Sequence, residues 1–338
     1  MMRVAINGFG RIGRVFFRQG FSSPSLKIVA VNDLGDIQNL VYLLKYDSVY
    51  GRYARSISYK VQDAKRTLIV EGKEIAFFQE KEPQKLPWKD LAIDVVVEST
   101  GVFTSYEKAK LHLEAGAKRV VISAPAKDET TPTSTPNVGV DFLKEGQITS
   151  NASCTTNATT PVVAIMAGQP GIQKAMLSTV HGYTATQVIV DGPDAKDFRR
   201  GRAGAVNIVP SSTGAADAVE RALPAFKGKF DGIAMRVPVV AGSIIDFTFL
   251  AKRKTSIEEV NTIFKEAAGA KEWQGILKVT EEPLVSSDIL GEPYGSIVDL
   301  SLTRVVDGDL VKVCSWYDNE WGYGAMLIKH IEGLSHLL

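Results

Sequence analysis

The sequence predicts an α/β first half on a parallel sheet covered by helices on both faces, followed by an α+β second half on an antiparallel sheet. Three observations carry this. Up to residue 123, apolar strand patterns alternate with helical ones, the order that builds parallel sheets. A glycine triplet sits between the first strand and the first helix. Beyond residue 151 the alternation gives way to longer apolar strands with helices set among them.

In order, residues 4–7 are a short apolar strand and 11–19 a helix. Residues 27–32, rich in Val and Ile, form a second strand, and 37–46 a helix. A third strand covers 94–99, a helix 106–115 and a fourth strand 119–123. Residues 56–78 alternate with period two between short turns, which predicts an antiparallel insertion. The stretch 128–137 is loop. A helix over 155–167 leads into a strand at 175–181. Residues 182–210 lack periodicity and are rich in Gly, Asp and Arg; so long a loop within a domain is usually functional. The rest reads as helices 214–223 and 256–268, strands 231–240, 243–252, 296–302 and 310–316, and an amphipathic helix 320–337.

Composition narrows the function. With 338 residues, 45% hydrophobic and 23% charged, the chain can bury ample cores in two domains. A net charge of +1 supplies no broad field for nucleic acid or membrane. No run reaches the ~18 apolar residues of a membrane helix. Two cysteines, Cys154 and Cys314, are too few for a disulfide scaffold and suit a reducing compartment. A strand starts at Arg3 with no signal-peptide layout before it. The expectation is a cytoplasmic enzyme. No Cys or His spacing suits a metal site.

Gly8-Phe9-Gly10-Arg11-Ile12-Gly13 is a GxGxxG run after a strand and opening a helix, the setting in which it binds a dinucleotide. Gly8 permits a tight turn, Gly10 lets the backbone approach a pyrophosphate, and Gly13 lets helix and strand pack closely. The phosphates would sit at the positive helix N-terminus. Asp33 ends the second strand, 20 residues after Gly13. A carboxylate there binds ribose hydroxyls and repels a 2′-phosphate, favouring NAD over NADP.

In Ser150-Asn151-Ala152-Ser153-Cys154-Thr155-Thr156-Asn157 a polar run meets the start of an apolar helix. A thiol at a helix N-terminus is lowered in pKa, and the thiolate is the nucleophile. The alternative is a structural thiol, which usually has apolar neighbours. His181 ends a strand and opens the long loop. It can act as base toward Cys154, or be no more than a satisfied strand-end polar residue. His112, His330 and His336 sit in helical patterns without evident polar partners and receive no role. Cys314, inside a strand, reads as core. The run Arg199–Arg202 is an anion site or a solvated patch.

With these residues in view, the chain resembles the phosphorylating glyceraldehyde-3-phosphate dehydrogenases over nearly its whole length. The resemblance rests on AINGFGRIGR at 5–14, VNDL at 31–34, LLKYDSVYG at 43–51 and ESTGVF at 98–103. It continues in SNASCTTN at 150–157, HGYTATQ at 181–187, DGP at 191–193, RRGR at 199–202, STGAA at 212–216, RVP at 236–238 and WYDNEWGY at 316–323. It implies an α/β Rossmann NAD-binding domain over 1–152, rejoined by the C-terminal helix 320–338, and an α+β catalytic domain over 153–319 built on an antiparallel sheet. It also implies a homotetramer.

By the same resemblance Cys154 is the nucleophile and His181 the base. Thr184, Thr186 and Arg236 hold the substrate phosphate, while Ser153, Thr155, Thr213, Gly214 and Arg200 serve inorganic phosphate. Arg11, Ile12, Ser99, Thr100, Gly101, Ser123 and Tyr323 join the NAD site, with Asn319 facing the nicotinamide amide. Leu34 and Pro193 accompany NAD preference. The implied reaction takes glyceraldehyde 3-phosphate, NAD and inorganic phosphate through a cysteine thiohemiacetal and thioester to 1,3-bisphosphoglycerate. The chain departs from the family pattern in GVDF at 139–142, in Ala158 where many relatives carry a second cysteine, in RVPVVAGSIIDF, and at Gly324 and Met326. Competing readings are an erythrose-4-phosphate dehydrogenase, a biosynthetic semialdehyde dehydrogenase, and a non-catalytic binding protein on the same scaffold. The YTATQ stretch, Asp33 and the intact Cys154, His181 and Arg236 favour the glyceraldehyde phosphate enzyme.

Overall fold

Six parallel strands with a two-strand antiparallel extension form the sheet of the first of two units into which the chain divides. The structure is a computed structural model describing residues 1–195 and 197–338. The first unit comprises Met1–Ser134, Val140–Ala152 and Leu327–Leu338, the second Thr135–Gly139 and Ser153–Met326.

In the first unit the strands are β1 (Met2–Asn7), β2 (Leu26–Asn32), β3 (Ile57–Gln62), β4 (Lys65–Val70), β5 (Lys73–Phe78), β6 (Val95–Glu98), β7 (Arg119–Ile122) and β8 (Ile148–Ser150). Their spatial order is β3-β4-β5-β2-β1-β6-β7-β8. The helices are α1 (Arg11–Gly20), α2 (Ile37–Lys45) and α3 (Tyr106–Glu114). Val4, Ile6, Val95, Val96, Val97, Val120 and Val121 are fully buried, as strands covered on both faces require. The chain moves outward from β1 in both directions, to β2 on one side and β6 on the other. Such a reversal opens a crevice beyond the carboxyl ends of the strands. The stretch 56–78 is an antiparallel meander as expected, but its last strand, β5, pairs parallel with β2 and so extends the main sheet. The three-residue strand β8 has too little sequence to show a period.

Two histidines expected to lack polar partners have them, from strands and loops remote in sequence. His112 is fully buried, and its Nδ1 accepts from Trp88 Nε1 at 3.0 Å. Its Nε2 therefore carries the proton and donates to Glu98 Oε2 at 3.1 Å. Asn7 Nδ2 donates to the same oxygen at 2.6 Å, and Glu98 Oε1 accepts from Thr100 N at 2.8 Å. His330 is buried, with Nε2 2.9 Å from Thr149 Oγ1 and Nδ1 3.2 Å from Asn151 Nδ2. Burial pushes its imidazole down to about 4.

That shift sets an acid limit. The unfolded chain binds a proton at His330 below about 6.5, the native protein only near 4, so stability present above pH 6.5 is lost as pH falls through that window. At ~1.4 kcal/mol per pKa unit the loss is roughly 3 kcal/mol. Denaturant midpoints measured from pH 7.5 to 4.5 should fall, and fall less steeply in His330→Asn. Equal slopes would assign the acid sensitivity to other groups.

The second unit begins with α4 (Cys154–Gly168), β9 (Ile172–Gly182), β10 (Val209–Ser212), α5 (Ala215–Ala222) and β11 (Phe230–Val237). It continues with β12 (Ser243–Ala251), α6 (Ile257–Gly269), β13 (Leu277–Thr280), β14 (Ser296–Val306) and β15 (Leu310–Tyr317). The sheet order is β10-β11-β9-β12-β15-β14-β13. Its seams are antiparallel except β9–β11 and β13–β14, which are parallel. The long excursion between β9 and β11 permits the first of these, because a parallel seam needs a crossover.

On β9, Ala175, Leu177, Thr179 and His181 are buried, while Met176 and Val180 are exposed. His181 thus shares a face with the apolar core. The same alternation turns Cys314 the other way. Its neighbours Val311, Val313, Ser315 and Tyr317 are buried, but Cys314 is half-buried, opposite Asp246 and Asp299. It is not core.

Residues 182–210 are ordered by short-range contacts: a bridge between Val188 and Ala203, an ion pair of 2.9 Å from Arg202 to Asp191, and a tight turn at Phe198–Gly201. Lys196 of this stretch lies outside the described residues. The last helix, α7, spans Trp321–Glu332 and stops at Gly333, short of the expected end, with a separate turn at Ser335–Leu337.

Candidate active site

A cavity of about 610 Å³ in the first unit is lined by Gly8, Gly10, Asp33, Leu34, Ser99 and Thr100, among others. Gly8 has φ +96°, and a Cβ there would lie 2.6 Å from the backbone of Ser99 and Thr100. A Cβ on Gly13 would meet the Gly8 carbonyl oxygen at 2.1 Å, so helix and turn could not close. Gly10 caps α1 with no side chain over the first-turn N–H groups, and a Cβ on it would meet nothing within 4 Å. An open helix N-terminus beside a cavity is what a pyrophosphate needs. Asp33 is fixed at the wall: Oδ2 accepts from Phe9 N at 2.6 Å and Oδ1 from Gly35 N at 2.8 Å. These features fit a dinucleotide.

Not every expected nucleotide residue lines this cavity. Arg11, Ile12, Gly13, Gly101 and Ser123 do not. Arg11 pairs with Asp47 at 2.6 Å, and Ser123 Oγ donates to the Glu98 carbonyl at 3.0 Å. Asn319 and Tyr323 belong to the second unit. The wall formed by Glu80–Gln84 went unforeseen, since a polar loop with one proline carries no binding signature.

In the second unit Cys154 is the first residue of α4. Ser153 caps that helix, its hydroxyl accepting from Thr156 N at 3.1 Å. Cys154 Sγ lies 3.3 Å from His181 Nε2. Strand register brings in the third group, because Arg236 on β11 pairs with His181 on β9. Arg236 Nη1 is 2.5 Å from His181 Nδ1, and the Gly182 carbonyl oxygen is 2.6 Å from the same nitrogen. Tyr317, given no role from the sequence, packs its ring edge-on to the imidazole with centroids 5.8 Å apart. Its hydroxyl joins Thr155 Oγ1 at 2.9 Å and Thr179 Oγ1 at 2.8 Å.

The expected low thiol pKa does not appear. Burial pushes the Cys154 thiol up, opposed chiefly by Arg236 and then by bonds from Thr155. Burial, and after it Arg236, pushes His181 down to about 3. Proton transfer from the thiol to Nε2, 3.3 Å away, is the step that gives a thiolate.

Among the anion-site candidates, Thr184 Oγ1 is 3.0 Å from Thr186 Oγ1. The Thr155 hydroxyl is buried on Tyr317, leaving its backbone N–H as the group it can offer a ligand. Arg200 keeps a buried Nε without a partner. Thr213 Oγ1 accepts from Ala215 N at 3.2 Å beside Gly214, the cap of α5, and α5 packs on α4. Asn319 Oδ1 accepts from Gly242 N at 3.1 Å and Ser243 Oγ at 2.9 Å, bonds that leave its amide nitrogen unused. Among the described residues no acid, His or Cys cluster suits a metal, and no helix is long and apolar enough to cross a membrane.

Comparison with known proteins gives matches in both halves of the chain. Residues 2–106 match the family description "Glyceraldehyde 3-phosphate dehydrogenase, NAD binding domain", and residues 153–319 match "Glyceraldehyde 3-phosphate dehydrogenase, C-terminal domain". A glyceraldehyde-3-phosphate dehydrogenase of Thermotoga maritima is 50% identical, covering 98% of each chain. One from Mycobacterium avium is 48% identical over 97% of this chain and 96% of its own. One from Clostridium pasteurianum is 46% identical over 98% of each.

Proposed function

The chain belongs to the glyceraldehyde-3-phosphate dehydrogenase family, and from that membership we infer that it oxidises D-glyceraldehyde 3-phosphate with NAD and traps the product as an acyl phosphate. The contact that supports this chemistry best is the 3.3 Å approach of Cys154 Sγ to His181 Nε2 at a helix N-terminus. His181 Nε2 takes the thiol proton, sulfur adds to the aldehyde carbon, and the imidazolium returns that proton to the carbonyl oxygen to give a thiohemiacetal. NAD, when bound, supplies the hydride acceptor. His181 takes the hydroxyl proton as the thiohemiacetal becomes a thioester on Cys154. Inorganic phosphate then attacks the thioester carbon, and the sulfur leaves as thiolate. The positive end of α4 and Arg236 stabilise that leaving charge.

We assign the aldehyde's phosphate to Arg236, Thr184 and Thr186, and inorganic phosphate to Arg200, Ser153, Thr155, Thr213 and Gly214. The buried, unpartnered Nε atoms of Arg200 and Arg236 support anion binding at both. We also propose a homotetramer. Met176, Ile233, Ile189, Val190, Phe198 and Val206 are exposed apolar side chains in one unit, which a second copy of the chain could cover. Two free thiols fit a cytoplasmic setting. NADH formation on adding glyceraldehyde 3-phosphate should depend on inorganic phosphate and exceed that with erythrose 4-phosphate. Absence of NADH in protein that binds NAD would overturn the assignment.

Cofactor choice gives a separate prediction. Asp33 holds a fixed carboxylate on the cavity wall, and exposed Leu34 offers a 2′-phosphate no polar partner. Wild type should strongly prefer NAD. Asp33→Gly with Leu34→Thr should narrow the ratio of kcat/KM values by roughly tenfold or more, on the order of the ~1–4 kcal/mol between unit charges near 4 Å. Comparable wild-type values for NAD and NADP would show that the carboxylate does not select the cofactor.

A further inference from the structure

Three strands of the first unit end on a polar residue that the sheet buries. Asn7 closes β1, Asn32 closes β2 and Glu98 closes β6. Parallel register sets Asn7 opposite both of the others, and Asn32 opposite Phe78, the last residue of β5. A row of polar side chains thus runs across the carboxyl ends of adjacent strands. Asn32 Nδ2 donates to Asn7 Oδ1 at 2.7 Å, and Asn7 Nδ2 to Glu98 Oε2 at 2.6 Å. Each end of the row holds a loop. Asn32 takes Glu80 by both backbone groups, giving to its carbonyl oxygen and accepting from its N–H at 2.9 Å each. Glu98 Oε1 accepts from the N–H and from the hydroxyl of Thr100, the first at 2.8 Å.

Glu80 and Thr100 both line the cavity of about 610 Å³, from loops that follow different strands. We propose that Glu98 and His112 are positioning residues for the coenzyme: with Asn7 and Asn32 they form a buried crossbar that fixes the spacing of the Glu80 and Thr100 loops, so that the adenosine end of NAD enters a cavity already at its bound width. This rests on the reading of that cavity as the NAD site.

Donors and acceptors permit one arrangement of this row. An indole N–H only donates, so Trp88 takes the lone pair of His112 Nδ1, and the ring proton at Nε2 goes to Glu98. Glu98 Oε2 then receives His112 and Asn7, while Oε1 receives Thr100 twice. Four donors meet two oxygens, which a carboxylate takes up and an amide does not. Whichever way a glutamine turned there, its amide nitrogen would face a ring or backbone N–H. The row keeps its members in one geometry because every break leaves a buried group unpaired. Supports of this kind raise affinity by cutting what a ligand must order on binding. Glu98, His112 and Trp88 are buried and line no part of the cavity. Any effect of Glu98 or His112 on NAD therefore passes through the row, by way of Asn7, Asn32 and Thr100.

The test titrates NAD, ADP-ribose and AMP into the intact enzyme by calorimetry and follows NADH formation alongside. In Glu98→Gln all three dissociation constants should rise roughly tenfold, the effect of one buried donor left unpaired, because all three ligands carry the adenosine end. KM for NAD should rise with them, while kcat at saturating NAD stays near the wild-type value. His112→Leu should lose affinity in the same way. His112→Gln should keep most of it, because a glutamine amide can accept from Trp88 and donate to Glu98; a role in filling space would favour the leucine instead. Amide exchange in the wild type gives a measurement independent of any variant: the N–H groups of Glu80 and Thr100 should be protected before NAD is added. Unchanged affinity in Glu98→Gln, equal losses in the leucine and glutamine variants, a fall in kcat in place of the rise in KM, or protection at Glu80 and Thr100 that arises only with NAD overturns the crossbar. Wild type that binds neither ADP-ribose nor AMP would instead overturn the reading of the cavity.

Discussion

Cys154→Ser is expected to abolish aldehyde oxidation, a loss on the order of 10⁴-fold or more, as removal of a nucleophile that acts with its base generally does. The serine hydroxyl is far less acidic than the thiol, and an oxygen ester is less open to phosphate attack than a thioester. The fold should survive, because the exchange changes one atom at a half-buried helix start already capped by Ser153. NAD affinity should survive too, since the cavity around Gly8, Gly10 and Asp33 contains no atom of Cys154. NADH formation gives the first quantity and NAD titration the second. One equivalent of iodoacetate should label Cys154 and spare Cys314, whose thiol is pushed up to about 11 by burial and the carboxylate of Asp246. A serine variant with full activity would end the thioester mechanism.

His181→Asn should slow the chemical step by roughly 10²–10⁴-fold, the usual contribution of a general base. Burial raises the thiol, so Cys154 depends on its partner to ionise. Alkylation in the variant should therefore be slower, with its inflection at higher pH. Asn cannot take up a proton, yet it can keep a hydrogen bond to the Gly182 carbonyl, so lost shape is a small part of the effect. An unchanged alkylation profile would mean that the 3.3 Å contact does not couple the two side chains.

Local chemistry was legible in the sequence, and strand pairing was not. The glycine turn, Asp33 and the polar run that ends at Cys154 each depend on residues adjacent in the chain, and the structure places them as glycine sterics, a fixed carboxylate and a helix start. The meeting of Cys154, His181 and Arg236 depends on the register of β9 with β11, a parallel seam between residues 55 positions apart. No periodicity encodes which strand lies beside which. The same limit hid Tyr317, and it hid the partners of His112 and His330, since each bond crosses between elements. The short strands β8, β10 and β13 have three or four residues each, too few for alternation to register. The thiol's direction of shift was misjudged because helix-end charge is visible in sequence, whereas the burial that opposes it is a property of packing.

One turn beyond Cys154 along α4 stands Ala158, fully buried. A cysteine there could act as a resolving partner under oxidant attack only if the first turn of α4 opened, because Cβ atoms four apart on a helix stand about 5–6 Å apart against the ~3.8 Å of a disulfide. Alanine offers no such exit, and the chain's other thiol, Cys314, is on a strand face turned away from the core. A sulfenic acid formed at Cys154 must then be rescued by a small thiol from solution, or climb to the sulfinic state, from which ordinary thiols do not bring it back. Oxidation of Cys154 is thus undone by a thiol from outside the chain, or it retires the enzyme.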